Sequence, residues 1–408
     1  MGSEIYFDNN ATTRLLPEAF EAMRPYLTEL YGNPSSIHRF GSQVARKVQE
    51  AREQVAALLG ASDPVEIVFT SCGTEADNAA IRGVLEASPG KRHVVTTQVE
   101  HPAVLGLFQH LEKKGYQVTW LRVDRDGMLD LAELEDSLTD NTALASIMYA
   151  NNETGAIFPI DTVGDIVKAR GIPFHVDAVQ AAGKLPLNMK KNPVDLLTIS
   201  GHKFHGPKGV GALYVRRGIT FRPFIVGGHQ ERNRRGGTEN VTGIIGMGKA
   251  AELALRRLGE EGRRVRELRD HLEQSLLDSC PDCRVNGHRK ERLPNTLNMS
   301  FKFLEGEAIL VLLDQYGICA STGSACTAGS VEPSHVLRAM GVPPEWIQGA
   351  VRFSLSRYNT EEEMRFVSEK MPLIIQRLRG LSALGKLSDS QEYQHNDSRT
   401  ADRIEARR

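Results

Sequence analysis

The chain predicts an α/β fold, a mostly parallel sheet covered by helices, with a smaller C-terminal α/β domain beside it. Two observations carry this. Segments with apolar residues at helical spacing alternate with short β-branched runs, as in strands joined by crossover helices. The length of 408 residues also exceeds what one hydrophobic core serves, so two domains are expected. In chain order, Val44, Val48, Ala51, Val55, Leu58 and Leu59 trace one helix face that ends at Gly60, and Val65 to Thr70 follows as a strand. Cys72-Gly73-Thr74-Glu75-Ala76-Asp77-Asn78 then reads as a tight turn opening a helix, and Val94 to Thr97 as the next strand. Phe174 to Asp177 and Val194 to Ile199 are further apolar strands, and Gly246 to Glu260 is a long helix. From about Arg263 a second α/β unit begins, with Asn295 to Phe301 as a strand. Leu384 to Arg408 is polar and without a sustained period, which predicts a disordered tail.

Composition excludes some partners. A formal net charge of -1 gives no electrostatic case for nucleic acid or for a membrane surface. No apolar run approaches the roughly 20 residues needed to span a bilayer, and no charged segment followed by an apolar one opens the chain. Five cysteines at irregular spacing suit a reducing compartment better than a disulfide frame, so a cytoplasmic location is expected.

The chemistry gathers at strand ends, where open α/β sheets bind their ligands. Ser200-Gly201-His202-Lys203 follows an apolar run and places a lysine among glycines, a hydroxyl and imidazoles. Glycines admit backbone to a ligand, Ser200 and His202 can bond a phosphate, and partial burial would free the lysine amine for an aldehyde. Pyridoxal 5'-phosphate needs all three. Asp177 ends another strand and suits the carboxylate that holds a pyridine nitrogen protonated, and Gln180 can reach the ring phenolate oxygen. Gly73 and Thr74 open a helix whose first amides make an anion site, although Thr74 with Asp77 also reads as a cap, and the two readings are compatible. His101, after the strand ending at Thr97, offers a flat ring to stack on a cofactor.

Asn9-Asn10-Ala11-Thr12-Thr13, Asn33-Pro34-Ser35-Ser36, Glu100-His101, Asn151-Asn152-Glu153-Thr154-Gly155, His175-Val176-Asp177, the lysine segment and Ser324-Ala325-Cys326-Thr327 occur in an order that resembles the cysteine desulfurases of the class V aminotransferase superfamily. The resemblance runs from about Ile5 to about Leu381. It is nearer the nitrogen-fixation (NifS) type than the housekeeping iron-sulfur (IscS) type, on Cys72, Gly227 to Arg232 and Glu332 to Val336.

That resemblance implies a PLP-dependent transferase of fold type I, aspartate aminotransferase-like. Residues 14–262 would form the large cofactor domain, and 1–13 with 263–383 a small domain carrying the catalytic cysteine loop, with 384–408 as the tail. It implies that Lys203 carries the cofactor and moves the α-proton of free L-cysteine. Cys326 would take the sulfur as a persulfide, leaving alanine. Cys326 sits in Ser321-Thr322-Gly323-Ser324-Ala325-Cys326-Thr327, a stretch of small residues that suits a thiol collecting sulfur at one place and surrendering it at another. By the same resemblance His101 moves a proton as well as stacking, and Asn152 touches ring and substrate. Arg352 forks the substrate carboxylate, and Ser200 and His202 hold the phosphate. Thr238 would complete the phosphate site of a second copy, which makes a homodimer a functional requirement. An iron-sulfur scaffold protein would accept the sulfur, with nitrogenase as the expected destination, and Cys326 is also a candidate transient iron-sulfur ligand. A selenocysteine lyase or another fold type I aminotransferase-like enzyme is the alternative, since neither needs an exposed Cys326.

Overall fold

The structure is a computed structural model that describes residues 4–323 and 333–381. Cys326 and the expected tail at 384–408 lie outside the described residues.

Among the described residues twelve strands are numbered in chain order. A two-stranded parallel pair joins β1 (Ile5–Tyr6) to β11 (Ile318–Cys319). The main sheet contains β2 (Ile67–Thr70), β3 (His93–Thr97), β4 (Gln117–Leu121), β5 (Thr142–Ser146), β6 (Phe174–Asp177), β7 (Leu196–Ser200) and β8 (Gly211–Val215). Its order is β2-β8-β7-β6-β5-β3-β4, and β8 runs antiparallel to both neighbours while the other pairs are parallel. Strands β3, β5, β6, β7 and β8 are buried at every position, as expected of a sheet covered on both faces. A third sheet, antiparallel, has the order β12 (Ala350–Ser354), β10 (Thr296–Phe301) and β9 (Cys283–Val285).

The helix face read from Val44 to Leu59 is the buried face of Arg39–Leu59, and Gly60 closes that helix at φ +60, a left-handed conformation that glycine adopts without strain. The strand expected from Val65 begins instead at Ile67. Asp63 caps a 3-10 turn at Pro64–Glu66, its Oδ1 accepting from Val65 N at 2.9 Å, while Glu66 Oε2 accepts from the Asp63 amide.

The helix expected at Gly246 to Glu260 is far longer, Val241–Ser279. At 39 residues it spans about 58 Å and carries no break at the expected boundary between 262 and 263. Its first half buries Ile244, Met247, Ala250, Ala251 and Ala254 in a core shared with the main sheet. Its second half buries Val265, Leu268, Leu272 and Leu276 in a separate core with β10, β12 and the helix Glu361–Leu381. Polar residues and Gly259 and Gly262 between these halves hid the continuity, because that stretch faces solvent and supplies no apolar period. At Gly248 a Cβ would lie 2.6 Å from the Ala51 Cα and Cβ, so glycine lets this helix approach Arg39–Leu59 closely.

Candidate active site

Strands β2, β3, β5, β6 and β7 end on one side of the main sheet, and a cavity of about 290 Å³ opens beyond them. Gly73, Thr74, His101, Asn152, Asp177, Gln180, Ser200, His202, Lys203 and Arg352 all line it, together with Asn10, Cys72, Asp77 and Gly323. Thr238 does not. It is exposed and lines a separate cavity of about 80 Å³ with Ser71, Arg235 and Glu239.

The helix Gly73–Ala87 starts at the cavity wall. Its N-cap is Cys72, whose Sγ accepts from Glu75 N at 3.4 Å, so the capping arrangement of Thr74 with Asp77 does not form. Asp77 is buried instead under the cavity, 3.6 Å from His175 Nε2. His175 is held by Ser146 Oγ at 2.8 Å and Thr198 Oγ1 at 3.0 Å, and burial lowers its pKa to about 3, so it is neutral.

Lys203 lies in the 3-10 turn that follows β7, and its Nζ donates to the Asn10 carbonyl at 2.5 Å and the Ala11 carbonyl at 2.9 Å. Asp177 ends β6, with Oδ1 accepting from Val179 N at 2.9 Å. Burial raises its pKa to about 6, opposed by that bond and by the Lys203 charge, so the carboxylate is ionised at neutral pH. The Asp77 carboxyl is also raised, first by burial and then by the negative charge of Asp177, so each of these buried neighbours disfavours ionisation of the other.

His101 caps the helix Pro102–Lys113 through Nδ1, which accepts from Ala103 N at 3.2 Å. Burial, then the nearby Lys203 and His335, lower its pKa to about 4. A neutral ring with Nδ1 accepting carries its proton on Nε2. Arg352, on β12, is buried; it donates to Asp8 Oδ1 at 2.7 Å and to the Asn152 carbonyl at 2.9 Å. Arg357 is half-buried and pairs with Glu261 at 2.7 Å.

Residues 5–367 match the class-V aminotransferase family. A cysteine desulfurase of Trichormus azollae is 64% identical over 380 residues, covering 93% of this chain and 95% of that protein. The cysteine desulfurase NifS of Azotobacter vinelandii is 53% identical over 380 residues, covering 93% and 94%. The chain belongs to the cysteine desulfurases of the class-V aminotransferase family. Among solved structures, a NifS-like protein superposes with a TM-score of 0.87 at 42% identity, covering 92% of this chain and 100% of that one. SspA in complex with cysteine gives 0.78 at 33% identity, covering 87% and 100%.

Cysteine desulfurases of this family are pyridoxal phosphate enzymes acting on L-cysteine, and the residues present fit that cofactor. Ser200 Oγ is buried at the cavity with no protein partner among the described residues, an orphaned hydroxyl of the kind a phosphate satisfies. The first-turn amides of Gly73 and Thr74 have no helical acceptor and border the same space. At Gly73 a Cβ would come within 3.0 Å of Val179 Cγ2, so a side chain would crowd the phosphate end.

The fold brings three further desulfurase residues to the site, to which sequence alone assigns no role. Asn10 belongs to the Asn9–Thr13 motif; its carbonyl receives Lys203, and its Nδ2 donates to Thr296 Oγ1 at 2.9 Å, tying the first residues of the chain to β10. Asp8, which pairs with Arg352, lies 344 positions away, and no local pattern announces such a pair. Lys184 was missed although it stands four residues after Gln180 in one turn, a spacing that brings side chains together.

Proposed function

We propose that this chain takes sulfur from L-cysteine at the cavity beyond β6 and β7, giving alanine and a persulfide on Cys326. The observation that supports it best is the presence of the Lys203 amine, the ionised Asp177 and the buried Arg352 around one cavity at the strand ends. Lys203 would hold pyridoxal phosphate covalently, Asp177 would pair with its ring nitrogen and Gln180 with its ring oxygen. Ser200, His202, Gly73 and Thr74 would hold its phosphate. When bound, pyridoxal phosphate supplies the electron sink for bonds breaking at the substrate Cα and Cβ.

The protein groups divide the remaining work. Arg352 Nε is buried without a partner among the described residues, leaving a donor for the substrate carboxylate, and Asn152 borders the same space. Lys203 moves the α-proton, for which it must leave the Asn10 and Ala11 carbonyls. His101, neutral with its proton on Nε2, is fitted to donate a hydrogen bond to a reacting group and carries no charge to attract an anion. Cys326 attacks the substrate sulfur as a thiolate, the S–S bond forming as the substrate Cβ–Sγ bond breaks, and the electron pair left on Cβ takes a proton to give alanine.

We also read the protein as a homodimer in which Thr238 serves the phosphate site of a second copy. Thr238 is exposed away from its own cavity, and Ile37, Val226 and Tyr31 are exposed apolar side chains that a second copy would cover. We read residues 14–262 as the cofactor domain and residues 1–13 with 263–383 as the smaller one; the separate core around β10 and β12 supports this, while Val336, Leu337, Met340, Val342, Ile347 and Ala350 pack in the main-sheet core instead. The sulfur goes to an iron-sulfur scaffold protein in the cytoplasm, for nitrogenase, with Cys326 as a transient cluster ligand. Among the described residues no helix is long and apolar enough to cross a membrane.

Sulfide and alanine release from L-cysteine, with a reductant present, tests the central claim. Equal amounts are expected from the parent protein, and neither from Cys326→Ala. A variant as fast as the parent removes Cys326 from the reaction.

A further inference from the structure

One basic side chain beside the site takes no part in the chemistry above. Lys184 is partly buried in the turn after β6, and its Nζ donates to Gln180 Oε1 at 2.8 Å and to the Gln180 carbonyl at 3.2 Å. Gln180 in turn donates from Nε2 to the Asn10 carbonyl at 3.0 Å, the carbonyl that also receives Lys203. An ammonium donates and never accepts, so its bond to the amide identifies the oxygen end and leaves the NH2 end facing Asn10. Of that group's two hydrogens, one goes to Asn10 and the second is available to the cavity that Gln180 lines.

The hydrogen bonds of Lys184 among the described residues go to Gln180. It lines a neighbouring cavity of about 50 Å³, along with Glu261 and His205, and Lys203 borders both spaces. Burial, then Lys203 and Arg352, lower its pKa to about 7, so the side chain is an ammonium below neutral pH and above it an amine that can still donate to Gln180 Oε1.

We propose that Lys184 is a positioning residue that locks the Gln180 amide, so that Nε2 rather than Oε1 meets the phenolate oxygen of pyridoxal phosphate. Without it the amide is free to turn over and set an acceptor against an anionic oxygen. This rests on the assignment of Gln180 to that ring oxygen.

The test is the pH titration of the visible absorbance of the holoenzyme, in the parent, Lys184→Met, Lys184→Arg, Gln180→Leu and the Lys184→Met/Gln180→Leu pair. A donor at the phenolate lowers the proton affinity of the bound chromophore, so Lys184→Met should raise the midpoint by about one unit, a tenfold change. Lys184→Arg, which keeps a donor, should restore most of it. In the Gln180→Leu background Lys184→Met should add under about 0.3 unit, because the amide it orients is gone. No shift in Lys184→Met overturns the proposal. So does an equal shift in both backgrounds, which would make Lys184 a through-space charge. A shifted Lys184→Met beside an unshifted Gln180→Leu would instead sink the assignment of Gln180, and the proposal with it. Should Lys184→Met not fold, Lys184→Ala with added ethylammonium carries the same comparison, the added cation restoring the parent midpoint if the lock is real.

Discussion

Glu100 precedes His101 and is fully buried; replacing it with glutamine tests the electrostatics under the site. Its Oε1 accepts from Thr97 Oγ1 at 2.8 Å and Met148 N at 3.0 Å, while Oε2 is buried with no partner among the described residues. Burial raises its pKa to about 8 against these two bonds, with the Asp177 charge adding to the rise. At neutral pH the side chain is therefore a neutral acid, and Asp177 keeps its charge without a second anion beside it. The raised value has a definite consequence for stability. From the unfolded carboxyl range to about pH 8 the folded protein holds a proton that the unfolded chain releases, so this group costs stability as pH rises. The slope is about 1.4 kcal/mol per pH unit, or about 5 kcal/mol over the whole interval. Glu100→Gln keeps both accepted bonds at the amide oxygen and cannot ionise. Urea midpoints of parent and variant holoenzyme, at one protein concentration from pH 5 to 9, should diverge in favour of the variant up to about pH 8 and then run parallel. Every other titrating group is common to both proteins and cancels. A gap that stays constant with pH would show that Glu100 does not carry a raised pKa, and the argument would fail. Activity at pH 7 should stay within about threefold, under ~0.7 kcal/mol of barrier, since the parent side chain is already neutral there.

Two further outcomes follow from pairs the fold builds. Arg352→Lys keeps the charge beside Asp8 but loses the fork and the Nε donor, so the KM for L-cysteine should rise about tenfold or more in steady-state kinetics while bound cofactor absorbance is unchanged. Glu231→Ala leaves the buried Arg52, now held at 2.7 and 2.8 Å, without its carboxylate and frees the Phe69 amide. Thermal unfolding should show a loss of about 3–5 kcal/mol, against under ~1 kcal/mol for removing the exposed Arg24–Glu21 pair.

The contrast between Asp177 and Asp77 shows what the sequence could and could not disclose. Asp177 was legible because its place depends on local order: a run of buried apolar residues ends at a strand terminus, and open parallel sheets bind ligands there. The same reasoning found Lys203, Ser200 and His101, each within a few residues of a strand end. Asp77 was misread as a cap because capping is the usual work of an acid in the first turn of a helix. Its burial beside His175 is decided by the packing of that helix on β6 and β7, which no window of sequence contains. Asp8 and the Arg52–Glu231 pair were hidden for the same reason, their partners lying far along the chain. Glu231 adds a backbone cause, since it sits at φ +45 with Arg232 at +58 and Asn233 at +63, conformations that side-chain chemistry does not advertise. Those residues bend the segment carrying Thr238 back over β2, where Arg52 fixes it through Glu231. What held the site's chemistry was readable from strand ends, and what orients that chemistry was written in contacts between distant segments. The second kind of residue is therefore where substitutions should alter the tuning of the site without removing any group that does the chemistry.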